Sequence, residues 1–191
     1  MTTDTPFRIL AVCTGNICRS PMVERLLQSA FARIAPGEFE ISSAGTGAMV
    51  DYPIDAQVAG FVRVFDGDSE NFRARQLEER ILEGKDLVLT LTREHRGRVI
   101  EMAPSLLRKT FTLREFARLI TTLDGDPSLD GPHRWRAIMP KVVRARTVHP
   151  SDPADDDVVD PYRRADEVYQ QMVRELVPAV KTLVDWEFNH R

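Results

Sequence analysis

The sequence predicts a single α/β domain, residues 1–191, built on a parallel sheet, and three observations carry that prediction. Short β-prone runs alternate with segments of helical period, the order that βαβ units produce. The run Asp86-Leu87-Val88-Leu89-Thr90-Leu91 has almost no polar alternation, as a strand buried on both faces does. The length of 191 residues favours one domain, and such a chain buries about 70% of its extended-chain surface without staples or structural metal.

Phe7 to Cys13 is apolar and β-prone and reads as the first strand. A loop rich in Gly and Asn follows, then Ser20-Pro21, where Ser20 is expected to cap a helix and Pro21 to occupy its first turn. Val23, Leu26, Leu27, Ala30, Phe31 and Ile34 recur at helical spacing until Pro36-Gly37 stops the run. Phe39 to Ser43 is the second strand, ending in the loop Ala44-Gly45-Thr46-Gly47. Ala56, Val58, Ala59 and Val62 support a helix over Ile54 to Val64, closed by Asp66-Gly67-Asp68. Gln76 to Leu82 reads as a short helix ended by Gly84. After the buried strand come a helix Arg93 to Glu101, a strand Lys109 to Leu113 and a helix Arg114 to Leu123.

Residues 124–157 differ in character from what precedes them, a Gly- and Pro-marked loop leading into a charged helix. Trp135, Ile138, Met139 and Val142 fall on one helical face, and Pro140 is expected to bend or split that helix. Gly131 to His149 holds no acid, whereas Arg134, Arg136, Lys141, Arg144 and Arg146 are basic; Asp152, Asp155, Asp156 and Asp157 then reverse the charge. The plain expectation is a solvated basic face neutralised by those aspartates, the alternative a surface that recruits an acidic or multiply phosphorylated partner. Ala165 to Phe188 makes a long final helix with Val168, Met172, Leu176, Val180, Leu183 and Val184 inward and a kink at Pro178.

Composition excludes several classes. Two cysteines rule out a disulfide framework, and Gly 10 with Pro 12 rules out collagen-like or low-complexity chains. No apolar run approaches the roughly 18 residues of a membrane span. The leader Met1 to Pro6 lacks the cationic start, apolar stretch and cleavage site of an export signal, so a reducing cytoplasm is expected. A net charge of −3 argues against a general nucleic-acid binder. The histidines His95, His133, His149 and His190 show no metal-ligand spacing and are expected at the surface; no metal or cofactor is expected.

The chemistry concentrates in Cys13-Thr14-Gly15-Asn16-Ile17-Cys18-Arg19-Ser20, a strand end, a tight loop and a helix start. Backbone N–H groups of a loop that wraps toward a helix N-terminus form an anion cradle, and the helix dipole favours negative charge there. Arg19 adds a permanently charged fork that grips two oxygens of a phosphate-like anion. These positive surroundings are expected to favour the thiolate of Cys13, a nucleophile near neutral pH. Gly15 is expected to take φ > 0, Asn16 to tolerate left-handed geometry and tie the loop together, and Ser20 to donate toward the sulfur. The residues taken singly have bland readings, Cys13 as a small buried hydrophobe and Arg19 as a surface charge; the constellation speaks against them.

The run Cys13 to Pro21 resembles the signature of the low-molecular-weight protein-tyrosine-phosphatase family: Cys, five residues, Arg, Ser, close to the N-terminus. Ser43-Ala44-Gly45-Thr46, Ala74-Arg75 with Leu77, the strand Asp86 to Leu91 and Asp160-Pro161-Tyr162 occur in the family's order. The resemblance implies four parallel strands with helices on both faces, with residues 124–157 as a charged helical insertion before a general-acid loop. It implies phosphotyrosine hydrolysis through phosphocysteine, with Cys13 as nucleophile, Arg19 on the phosphate and Asp160 as general acid and base. Thr14, Gly15, Asn16, Ile17, Cys18 and Ser20 would line the phosphate site, and Met49 and Tyr162 the substrate pocket. It also implies that Cys18 traps oxidised Cys13 as a reversible disulfide, a small loop-packing residue being the alternative. The partner would be a phosphotyrosine-bearing protein, a tyrosine kinase among the candidates, and the chain a monomer or weak dimer.

Met49 stands where many members place a large aromatic, and Arg163 follows Tyr162 where some have a second tyrosine. Rival readings stay open. A thiol-dependent arsenate reductase of this fold would need an external thiol, since only Cys13 and Cys18 exist. A protein-arginine phosphatase has a similar loop with Thr at the position of Ile17. A phosphate-binding module without turnover would have no need of Cys13, Arg19, Ser20 and Asp160 together.

Overall fold

Alternation along β1 (Phe7–Cys13) decides which face each residue serves. Phe7, Ile9, Ala11 and Cys13 join one apolar cluster and Leu10 and Val12 the other, all of them buried. The fold is that of a computed structural model, which describes residues 5–191. The first four positions of the leader read above for an export signal lie outside the described residues. With β1 run β2 (Phe39–Gly45), β3 (Leu87–Thr90) and β4 (Thr110–Thr112), in the parallel order β2-β1-β3-β4. Phe7 stands opposite Phe39, Cys13 opposite Gly45 and Ile9 opposite Leu87. The α/β class and parallel sheet are those the sequence predicts.

The helices are α1 (Arg19–Ile34), α2 (Ala56–Val64), α3 (Glu79–Leu82), α4 (Arg93–Met102), α5 (Leu113–Ile120), α6 (Gly131–Val148) and α7 (Asp166–Asn189). The larger cluster packs α1, α2, α5, α6 and α7 on one face; Leu82 of α3 and Val99 of α4 cover the other. Among the described residues no helix is long and apolar enough to cross a membrane.

Several boundaries differ from expectation for identifiable reasons. β2 continues through Ala44 and Gly45, read above as loop, because Gly45 pairs with Cys13. α2 starts at Ala56 because the Asp55 carboxylate accepts from the N–H groups of Gln57 and Val58. Gln76 lies outside α3, its backbone bridged to Gly45. Ser20 is not a cap: Cys18 holds that position, and the Ser20 hydroxyl turns toward Cys13 instead. Pro140 does not split α6.

The basic residues of α6 divide: Lys141 and Arg144 are exposed, as expected of a solvated face, but the other three pair with acids of other elements and not with the aspartates that follow. Arg134 is buried, its Nη1 donating to Glu187 Oε1 at 2.7 Å, while Arg136 pairs with Asp86 and Arg146 with Glu115. The aspartates serve other arginines, Asp156 pairing with Arg118 and Asp157 with Arg93. Trp135, fully buried, has the rings of Phe7, Phe31, Phe39, Phe116 and Trp186 at centroid distances of 5.4 to 6.0 Å. Its indole N–H donates to Glu187 Oε2 at 2.8 Å. The segment 124–157 therefore contributes part of the core.

Candidate active site

Strand order reverses direction at β1, whose neighbours are β2 on one side and β3 on the other, and open α/β sheets bind ligands at that switch point. Residues 14–18 follow β1 there. Their carbonyls are turned to neighbouring backbone: Thr14 O accepts from Gly47 N, Gly15 O from Met49 N, Ile17 O from Asp55 N and Cys18 O from Met22 N. Among the described residues no acceptor pairs with the amides of Thr14, Gly15, Asn16, Ile17 or Cys18. Unpaired amides in a loop that leads into a helix N-terminus are donors for an anion.

Asn16 is the left-handed residue of the loop, at φ 54°, and is fully buried. Its Nδ2 donates to Ser20 Oγ at 2.9 Å and Ser43 Oγ at 2.8 Å, and its Oδ1 accepts from Arg75 N at 2.9 Å. Ser20 Oγ lies 2.9 Å from Cys13 Sγ. Having accepted from Asn16, the Ser20 hydroxyl has its proton to give to the sulfur. Ser43 in turn donates to Glu24, whose carboxyl burial pushes above the usual range, against the lowering effect of that hydrogen bond.

Gly15 does not take the positive φ expected of it. The glycine the loop requires is Gly45, where an added Cβ would stand 2.2 Å from Thr14 O. Its lack of a side chain lets β2 approach the loop.

Arg19, 4% exposed, donates from Nη1 to Val158 O at 3.1 Å and pairs through Nη2 with Asp160 Oδ2 at 2.9 Å. Its Nε has no hydrogen-bond partner among the described residues. A buried guanidinium with an edge N–H to spare suits a bidentate oxyanion. The Asp160 carboxylate is half exposed and accepts from Tyr162 N through Oδ1. Cys13, Thr14, Gly15, Ile17, Cys18 and Arg19 line a cavity of about 160 Å³ with Gly47, Met49, Asp160 and Tyr162. Asn16 and Ser20 are fully buried and do not line it, and Arg163 places its guanidinium 5.1 Å from the Tyr162 ring centroid. Cys18 is buried, and burial pushes its thiol pKa up, Asp55 adding to the effect.

His95 is a correction to the expectation of surface histidines. It is 5% exposed, with Nε2 2.8 Å from Thr14 Oγ1 and Nδ1 2.9 Å from Thr92 Oγ1. Burial, then the nearby Arg19, lower its pKa to about 4. The available signal was its place three residues after Thr92, the N-cap of α4. Glu24 and Asp55 also went unnoticed, each acting through partners remote in sequence.

The model of the low molecular weight phosphotyrosine protein phosphatase family matches residues 8–142, and the chain belongs to that family. It is 42% identical over 101 residues to the low molecular weight protein-tyrosine-phosphatase Wzb of Escherichia coli K12, covering 53% of this chain. The match spans 65% of Wzb's own length, just under two thirds. It is also 36% identical over 121 residues to a protein-arginine-phosphatase of Geobacillus stearothermophilus, covering 63% of this chain and 76% of that protein. Among solved structures, the low molecular weight protein tyrosine phosphatase of T. tengcongensis superimposes with a TM-score of 0.67 at 28% identity, over 94% of this chain and 98% of the other.

Proposed function

We propose that this chain is a protein-tyrosine phosphatase working through a phosphocysteine intermediate. The observation that carries the reading is the meeting of Cys13, the Arg19 guanidinium and the Asp160 carboxylate around one cavity of about 160 Å³. In the first step Cys13 thiolate attacks phosphorus in line. An S–P bond forms, the P–O bond to the tyrosyl oxygen breaks, and protonated Asp160 gives its proton to the leaving oxygen. Arg19 and the loop amides meet the charge on the transferring oxygens. In the second step water attacks phosphorus while Asp160 takes its proton, the S–P bond breaks, and inorganic phosphate leaves. Ser20, held by Asn16, stabilises the sulfur as it departs. Thr14, Gly15, Ile17 and Cys18 form the phosphate wall, and Met49 and Tyr162 contact the ring of the substrate. Cys18 is the proposed trap for oxidised Cys13.

The substrate in this reading is a phosphotyrosine-bearing protein, a tyrosine kinase being one, met in the cytoplasm by a monomer or weak dimer. Residues 124–157 count as a charged insertion within one domain. The similarity to a protein-arginine-phosphatase favours phosphoarginine as the second reading.

Turnover of para-nitrophenyl phosphate and of phosphotyrosine, phosphoserine and phosphoarginine peptides tests the proposal. Cys13→Ser abolishes hydrolysis, and Asp160→Ala slows it roughly a hundredfold or more, most for leaving groups of high pKa. An active Cys13→Ser protein overturns the mechanism.

A further inference from the structure

The loop after β1 feeds α1 and the loop after β3 feeds α4, and a crevice separates the two. Every other hydrogen bond described for residues 14–18 runs toward the β2 side or into α1. The bond between Thr14 and His95 alone reaches across to the β3 side. We propose that His95 is a positioning residue for the reaction, fixing the Thr14 end of the phosphate loop and orienting the Thr14 hydroxyl as a donor to the bound anion. The inference rests on the phosphatase reading for what the loop holds.

The order of donors follows from the contacts. Thr92 Oγ1 accepts from His95 N at 3.2 Å, capping α4. The hydroxyl then has one proton to give, and Nδ1 stands 2.9 Å away to take it. In a neutral ring the remaining proton is on Nε2, which donates to Thr14 Oγ1 at 2.8 Å. Thr14 Oγ1, having accepted, keeps its own proton to donate elsewhere. Thr14 lines both the cavity of Cys13 and Arg19 and the adjoining one, about 460 Å³, that His95 shares with Asp160. Burial keeps the ring neutral and so preserves this order.

A double-mutant cycle on His95 and Thr14 tests the inference, with two readouts: kcat/KM for para-nitrophenyl phosphate, and the Kd of inorganic phosphate by calorimetry. His95→Ala and Thr14→Val each lower kcat/KM about tenfold and weaken phosphate binding by a similar factor, the scale of one buried hydrogen bond. The double variant is no worse than either single one, because both remove the same bond. His95→Gln, which keeps an N–H within reach of Thr14, recovers most of the loss, and Thr14→Ser, which keeps the hydroxyl, recovers most of the loss of Thr14→Val. Additive losses, or a His95→Ala protein with unchanged kcat/KM and phosphate affinity, overturn the inference. Thr14→Val keeps the test open should His95→Ala fail to fold. A chain that hydrolyses nothing, yet whose phosphate affinity falls in both variants without additivity, overturns the phosphatase reading while leaving His95 as the residue that positions Thr14 on a bound anion; hydrolysis with additive losses overturns the inference alone.

Discussion

His95 links the site to stability as well as to geometry. Its pKa falls from an ordinary 6.5 to about 4 in the folded chain, so between those values the unfolded chain binds the extra proton. Stability from this group is therefore complete above about pH 6.5 and lost as pH falls toward 4, amounting to about 2 kcal/mol between pH 7 and pH 5. The charges around it are Arg19, Asp157 and Asp160, with Glu94 and Glu175 lining the same cavity. Glu24 and Asp156, whose pKa values burial raises, act in the opposite sense, so the comparison must be between proteins. Urea midpoints of wild type and His95→Gln at pH 7 and pH 5 check this: the wild type loses about 2 kcal/mol more than the variant. Parallel losses refute it. The same residue marks the limit of sequence reading. Cys13 and Ser20 were legible because they meet each other within one short loop, and Asn16 and Arg19 because their residue types at that spacing mark an anion-binding loop whatever their remote partners, whereas nothing near His95 points to its Thr14 partner 81 positions away.

At the scale of elements, α6 shows the same division. Its apolar face was legible from helical period alone, since Trp135, Ile138 and Val142 need only a common side to be buried together. Its exposed Lys141 and Arg144 fit the solvated face expected, but Arg134, Arg136 and Arg146 do not, because the acids that pair with them, Glu187, Asp86 and Glu115, belong to other elements. Glu187 is fully buried and accepts from Arg134, Trp135 and Arg191, and Arg191 also reaches Glu38, which accepts from Gly131 N. One carboxylate thus pins the start of α6 to the end of α7. Removing it leaves a buried guanidinium and an indole N–H without partners, so Glu187→Ala destabilises by about 3 to 5 kcal/mol and lowers Tm on the order of 10 °C. Glu187→Gln, which keeps the shape and an acceptor, costs less. Glu38, which holds Gly131 at the start of α6, immediately precedes β2 at the opposite end of the sheet from Cys13, so kcat/KM well below Tm is unchanged. Calorimetric melting beside the hydrolysis assay decides; a melt shifted by under about 3 °C shows that the network contributes little.

The whole molecule places a small apolar and polar cavity between two loops that come from distant parts of the chain. Arg19 binds Val158 O and Asp160, Val158 N binds Leu91 O, and Arg114 binds Asp157 O, so the acid-bearing loop is docked onto α1, β3 and α5 together. In the proposed reaction that docking fixes where a leaving group sits, and the remaining walls decide which leaving group fits. Ile17, buried, and Met49 present carbon to it, and Tyr162 presents a ring. A phenolic ester matches such a lining, since its ring loses little on leaving water. The guanidinium of phosphoarginine buries polar N–H groups there without an acceptor from Ile17, and an unpaired buried donor costs about 1 to 3 kcal/mol. The chain should therefore prefer phosphotyrosine to phosphoarginine in peptides of one sequence. Ile17→Thr supplies a hydroxyl at the same place and should narrow the ratio of the two kcat/KM values about tenfold. Measuring both ratios side by side separates the readings: a wild type that favours phosphoarginine overturns the tyrosine assignment, and a ratio unmoved by Ile17→Thr shows that the choice is made at Met49, Tyr162 or Arg163 instead.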